Sequence, residues 1–238
     1  MNGKSAIYKV KVAMPRSQEF GFHMENLVRV MIHELQPKSN DTGIHDIPKE
    51  DNQFNKETES IKTTGMNSID CGDVLRFHGY DMKDQHVMVV FRYKQIGPKR
   101  KVHETLVLRY NSEFKKALFG NVTDAEIKAL DTYVKSIPHF GRTSEHQTTY
   151  KKMAKDMKEK SGGWISYAPK VDSKSQRRVQ CSIRKLDDFL KKYPQFIISR
   201  TADCSLHGIT LETEYDFGPR IRNQQTPESD SEQDSPPS

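Results

Sequence analysis

Cysteine is scarce in this chain of 238 residues. Cys71, Cys181 and Cys204 are odd in number, far apart and form no C-x-x-C pair, which argues against a disulfide framework or a cysteine zinc site. All three read as buried or inert thiols. Long apolar runs are also missing. No stretch approaches the roughly 20 residues that span a bilayer, and residues 1–35 lack the apolar segment of a signal peptide, so neither secretion nor membrane insertion is expected. Hydrophobic residues make up only 34% and aromatics 9%, but Val, Ile, Leu and Phe recur in clusters, which favours a packed core over a disordered polyelectrolyte. There is no G-x-x-x-x-G-K-[ST], G-x-S-x-G or H-E-x-x-H, and the carboxylates Asp70, Asp73, Asp81 and Asp84 fit turns better than a nuclease metal site. His103 and His207 have no partner at metal-ligand spacing. The expectation is a protein without enzymatic activity, cofactor or metal.

Positive charge is what the chain has in excess. Lys and Arg number 38 against 32 Asp and Glu. Four of the acids, Glu228, Asp230, Glu232 and Asp234, lie in residues 223–238, which hold no cation, so the body 1–222 carries 38 bases against 28 acids, a net of +10. That last segment is rich in Ser, Asp, Glu and Pro without an aliphatic residue and reads as a disordered acidic tail. Its Ser229-Asp230-Ser231-Glu232 suits acid-directed phosphorylation, which would add charge to a tail able to compete with an anionic ligand for the basic body.

Residues 1–140 read mostly as strands. Lys9-Val10-Lys11-Val12 alternates, 27–32 (LVRVMI) is a more continuously apolar run, and strands return at 72–78 (GDVLRFH), 86–95 and 103–110. Residues 15–25 read as a loop, and the weakly apolar 36–68 as a short strand near 42–47 with a short helix near 54–62. Gly97-Pro98-Lys99-Arg100-Lys101 reads as a loop carrying three adjacent cations. Thr123-Asp124-Ala125-Glu126 is a capping box, followed by Ile127, Leu130, Val134 and Ile137 near helical period and by Pro138. Five or six short strands and a closing helix suit an OB-fold β-barrel, and other small β-rich domains as well. After Gly141 the apolar stripes Tyr150, Met153, Ala154, Met157 and Ile183, Leu186, Phe189, Leu190 predict two helices, with strands at 195–199 and 208–214. That order fits a winged-helix-like module, or equally elements that extend the first domain. The expected architecture is mainly β with α: an OB-fold over 1–140, a basic α+β region over 141–222 and the tail 223–238.

Gly72-Asp73-Val74-Leu75-Arg76-Phe77-His78 resembles the G-D-[IV]-[VI]-R-F-H run in the first OB-fold of protection-of-telomeres proteins, the telomere end-binding family that caps chromosome ends on single-stranded DNA. The order of elements over about residues 5–140 is similar too, including a helix opened by Thr123. With no clear second OB-fold, the chain resembles the small single-OB telomere proteins of nematodes. The family's basic residue after the histidine is replaced by Gly79, so that contact is either absent or supplied by Lys83. The resemblance implies a nuclear, telomeric protein that binds single-stranded G-rich telomeric DNA, caps the 3′ end, regulates telomere length and works with shelterin-like partners.

Single-stranded DNA requires cations along the phosphates and flat side chains under unstacked bases. Such residues are interleaved here. Arg16, Phe20 and Phe22 follow the first strand; Arg76, His78, Tyr80 and Lys83 surround the turn after the fourth; Arg92, Tyr93, Lys94, Lys99 and Arg100 line the fifth strand and its loop. Each has a structural alternative: Phe20 and Phe22 as pins of their own loop, Arg76 and His78 as ion-pair partners, Tyr93 as core, the lysines as a solvated turn. Residues 142–200 add fifteen Lys and Arg against six acids, with Trp164 and Tyr167 between them, which suits either an extended DNA path or a solubilising surface. The rival function is an RNA- or protein-binding adaptor using the winged-helix-like region.

Overall fold

The computed structural model describes residues 16–37, 45–79, 86–138, 143–171 and 177–217. The expected first strand around residues 9–12 and the tail lie outside them. Within them the content is mixed α/β, with sheets that curl into a half-barrel.

The chain enters as helix α1 (Arg16–Leu27), which continues through a π-helical turn, Val28–Ile32. Residues 27–32, expected as a strand, are therefore helical, and so is the expected loop before them. The reason lies in the spacing of Phe20, Met24, Val28 and Ile32, four apart and all buried. An i, i+4 series forms one stripe on a helix, and it overrides the β-propensity of Val28, Val30 and Ile32.

Strand β1 (Thr58–Thr64) stands where a short helix is expected near residues 54–62, and β2 (Ser68–Asp73) follows it; Ile47 only bridges Glu59. The motif 72–78 is a strand only at its first two residues. A β-bulge between Asp70 and Gly72, with Gly72 at φ +74°, shifts the register of β2, which pairs with β6 as far as Asp73, and Val74–His78 then forms the short helix α2. The Asp73 carboxylate accepts the Arg76 backbone N–H at 3.0 Å, so an N-cap decides the local structure against the β-branched Val74.

Strands β3 (His86–Ile96) and β4 (Lys99–Tyr110), expected as strands at 86–95 and 103–110, form a long hairpin whose loop is only Gly97-Pro98. Gly97 has φ +57°, the conformation a glycine-first two-residue hairpin loop needs. Lys99, Arg100 and Lys101 therefore lie in a strand rather than on a loop. Next come α3 (Ser112–Phe119) and α4 (Asp124–Ser136), the latter opened by the expected capping box and finished before Pro138. Helix α5 (Ser144–Lys160) matches its apolar stripe.

Beyond it lie two strands that the sequence pattern does not announce, β5 (Ile165–Lys170) and β6 (Arg178–Arg184), then α6 (Leu186–Lys192), β7 (Ile197–Thr201), the tiny hairpin β8 (Ser205–Leu206) and β9 (Ile209–Thr210), and β10 (Glu214–Asp216). Ile183, expected to open a helix, belongs to the end of β6.

The main sheet runs β1-β3-β4-β10, with β1 parallel to β3 and with β7 also pairing with β4; the second runs β2-β6-β5. The late strands thus extend sheets begun by the early ones, the alternative to a separate winged-helix-like module. One core joins Ile69, Met88, Leu106, Leu130, Met157, Cys181 and Phe189, so residues on both sides of position 140 share it. A second core, on Val87, Val89 and Phe91 of β3, is closed by Phe20, Met24 and Val28 from α1 and by Leu206, Leu211 and Tyr215. Strand β3 is buried on both faces through Phe91. Full burial of each such side chain contributes roughly 1.5–3 kcal/mol. Cys181 and Cys204 are buried and Cys71 half-buried, all free; burial pushes the Cys204 thiol up to about 11 and Cys181 well above the usual range.

Candidate nucleic-acid interface

The second core takes over several of the residues expected on DNA. Phe20 is 0% exposed, with ring centres at 4.8 Å from Tyr93 and 5.2 Å from Phe217, so it offers no face for a base. The Arg100 guanidinium, 3% exposed, lies over Phe20, Tyr93 and Phe217 at 5.2, 5.3 and 5.4 Å. That is a cation–π stack inside the fold, and it withdraws Arg100 from any phosphate. Tyr93 is half-buried against Gly65, where a Cβ would meet its ring at 3.1 Å. Aromatics and a cation that the sequence offers as separate DNA contacts are here stacked on one another.

Arg92 is also engaged. It donates to Glu104 at 2.9 Å and, with both terminal nitrogens, to Asp187 at 2.7 and 3.1 Å. Burial alone would lower its pKa, but the two carboxylates raise it. The Arg92 guanidinium, expected on DNA, is thus held by two carboxylates within the fold. His78 is buried, edge-on to Phe119 at 4.6 Å, with Nε2 3.4 Å from Asp124; burial and nearby Lys115 lower its pKa against the pull of Asp124. Its ring thus faces Asp124 at the α4 N-terminus. Lys99 and Lys101 share Glu214, at 3.5 and 3.3 Å. Phe22 (41% exposed), Arg76 and Lys94 remain on the surface. The side chain of Arg16, and Tyr80 and Lys83 altogether, lie outside the described residues.

The arrangement that fits a single strand lies elsewhere. Gly162 and Gly163, at φ +69° and +81°, turn the chain from α5 into β5 and set Trp164 at the sheet edge. Trp164 stands edge-on to buried Phe189, with centres 5.6 Å apart, and is itself half-exposed. Helix α6 ends at Lys192, ahead of Tyr193 and Pro194, which puts the Lys192 ammonium 5.7 Å from the Trp164 ring centre and 5.2 Å from that of Tyr193. Arg184, whose backbone N–H donates to Trp164 O at 2.7 Å, and Lys185 and Lys191 at the two ends of α6 are all exposed. One cation thus lies against two partly exposed aromatic rings, with Tyr193 also packed on Phe189 and Phe196 at 5.0 and 5.9 Å, and three more exposed cations flank these residues in the chain; aromatic faces and cations are what single-strand binding uses. The sequence pointed to Trp164 and the Arg184-Lys185 pair but missed Lys192 and Tyr193; the only signal was the string Lys191-Lys192-Tyr193 just beyond an amphipathic stripe.

A polar cluster borders the second core. The Glu59 carboxylate is enclosed, with His33 Nε2 at 3.1 Å, His207 Nε2 at 2.7 Å and the Asn52 side-chain amide donating at 2.9 Å. Burial pushes the Glu59 carboxyl up, but the hydrogen bonds from His207 and His33 more than reverse this and hold it at about 2. The carboxylate therefore keeps its charge in the interior. His207, without a partner by sequence spacing, finds two in space.

No family model, curated protein or solved structure matches the chain.

Proposed function

We propose that the chain is a non-enzymatic single-stranded DNA-binding protein of the telomere end-binding type, acting in the nucleus to cap 3′ ends and limit their elongation together with shelterin-like partners. The observation that carries the binding reading is Lys192 lying across Trp164 and Tyr193, on a stretch of chain where Arg184, Lys185 and Lys191 are also exposed. Each stacked base contributes about 1–3 kcal/mol, and exposed cations neutralise phosphates. The curled sheet, with α4 packed on its core, supports an OB-type barrel extended by β5, β6 and β7. Because α1 and residues 204–217 cover one face of β3, the DNA path in this reading runs over the α6 edge and not over that face. The preference for a G-rich repeat rests on the resemblance carried by residues 72–78.

A selection on a random single-stranded DNA pool at about 150 mM salt tests both levels, since salt screens the non-specific electrostatic part. Enrichment of a G-rich repeat, bound more tightly than its complement and than RNA of the same sequence, is the expected result. Equal affinity for scrambled DNA and for RNA would leave a general basic binder and reject the telomeric reading.

A further inference from the structure

Three side chains from distant parts of the chain converge on one point. His33 follows the helical turn that ends at Ile32, Glu59 sits in β1, and His207 lies between β8 and β9. One donor atom from each lies within 4.8 Å of the other two. We propose that His33, Glu59 and His207 bind a divalent transition-metal ion, with Zn²⁺ as the best fit to two imidazoles and one carboxylate.

Bonds of about 2.0–2.1 Å in tetrahedral geometry hold neighbouring donors roughly 3.3 Å apart. His33 Nε2 lies 3.1 Å from one Glu59 oxygen, Oε2, and His207 Nε2 2.7 Å from the other, Oε1, so an ion between the two rings would be taken by the carboxylate through either or both oxygens after a small opening of the three donors, which all lie within 4.8 Å of one another. Two imidazoles and a carboxylate select zinc over calcium or magnesium, which take oxygen donors.

The surroundings hold the rings in place. Phe54 stacks on His207 with centres 4.3 Å apart and planes 10° apart, and stands edge-on to His33 at 5.3 Å. The Asn52 amide, which also donates to Glu57 O, fixes the Glu59 carboxylate. The backbone at His207 is itself costly. His207 and Gly208 form the two-residue loop of the β8–β9 hairpin at φ +54° and +80°, a pair of positive values that Asn-Gly or Gly-Gly adopts most readily. A non-glycine residue in this conformation costs stability; here it sets the His207 imidazole against Glu59.

Three protein donors leave a fourth position for water or a ligand. His207, 15% exposed, is the donor nearest solvent and lines a groove of about 340 Å³ together with Glu57, Ile198 and Ser199. The Nδ1 atom of buried His33 has no hydrogen-bond partner among the described residues. Outer-shell support of a ligating imidazole is worth 10–100-fold in affinity, so a site without it at this ring is expected to bind in the micromolar range.

The test is a titration of the chelator-stripped full chain with Co²⁺, read by its visible d–d absorption, followed by displacement with Zn²⁺. One equivalent should bind, give the strong absorption of a four- or five-coordinate site and leave on addition of zinc. Zinc at a hundredfold excess over its Kd should raise Tm by roughly 5–10 °C. His207→Gln, at a surface turn, should lower affinity at least tenfold, while His103→Gln on β4 should leave it unchanged. Should Glu59→Gln fail to fold, His207→Gln still decides. Absence of binding below about 1 mM, or binding that survives His207→Gln, would overturn the proposal, and neither result depends on nucleic acid.

Discussion

Arg92 and Asp187, 95 positions apart, meet through two parallel hydrogen bonds of 2.7 and 3.1 Å. The fork ties β3 to α6, and Glu104 at 2.9 Å completes the clamp. Asp187 is in turn placed by its own backbone N–H, which donates to the Asn67 side chain at 2.7 Å. An arginine so engaged serves the fold. Arg92→Ala should lower the stability by about 1–3 kcal/mol while leaving affinity for single-stranded DNA within a factor of two at a temperature where the variant is folded. Urea denaturation and a binding titration on the same preparation check both halves; weaker binding at unchanged stability would return Arg92 to the interface.

Phe20 makes the same distinction among the aromatics. It is fully enclosed by Tyr93, Tyr215, Phe217 and the Arg100 guanidinium. Phe20→Ala removes most of a buried ring and should cost about 3–5 kcal/mol. Phe22, two residues on and exposed, should cost less than about 0.5 kcal/mol when replaced by Ala. Thermal denaturation of the pair separates core from surface on one helix.

Glu59 gives the chain an acid limit. Its folded pKa of about 2 lies below the ordinary 4.5. A depressed carboxylate contributes stability that is present above about pH 4.5 and is lost as pH falls toward 2. The contribution is on the order of 3 kcal/mol at neutral pH. Denaturation midpoints measured from pH 7 to pH 2.5 should fall most steeply below 4.5. Glu59→Gln, which has no charge to lose, should be less stable at pH 7 and show a flatter acid limb; an unchanged slope would place the acid sensitivity in other carboxylates.

Features legible from the sequence were those settled by neighbours along the chain. The capping box at Thr123 and Glu126 and the stripe Ile127, Leu130, Val134 fix α4 without reference to the rest of the protein, and β3 and β4 carry enough β-branched residues to show themselves. Residues 27–32 mimic a strand because Val28 and Ile32 belong to a stripe that starts at Phe20, beyond the run itself. At 72–78 one carboxylate, Asp73, turns five residues from strand to helix. The candidate interface was less legible still. Interleaved cations and aromatics look alike whether they face solvent or one another, and only the pairing of β10 with β4, which brings Tyr215 and Phe217 beside Phe20, turns Arg100 inward. Likewise, nothing near His207 announces Glu59, 148 residues earlier.

The edge formed by Trp164, Tyr193 and Lys192 can be separated into stacking and charge. Trp164→Ala removes a base platform and should weaken single-stranded DNA binding roughly 5- to 150-fold, but Trp164 also touches Phe189, so this variant perturbs the fold as well. Lys192→Gln avoids that ambiguity, because Lys192 is exposed and its removal should change stability by less than about 0.5 kcal/mol. If the Lys192 ammonium neutralises a phosphate, the slope of log affinity against log salt should become shallower by about 0.7 for each phosphate left without its cation, and Lys191→Gln with Lys192→Gln should double the change. Fluorescence of Trp164, the chain's one tryptophan, reports the stacking directly and should be quenched on DNA binding. Affinity and salt slope that stay unchanged in all three variants would move the interface off the α6 edge, with Phe22, Arg76 and Lys94 as the exposed residues to replace next.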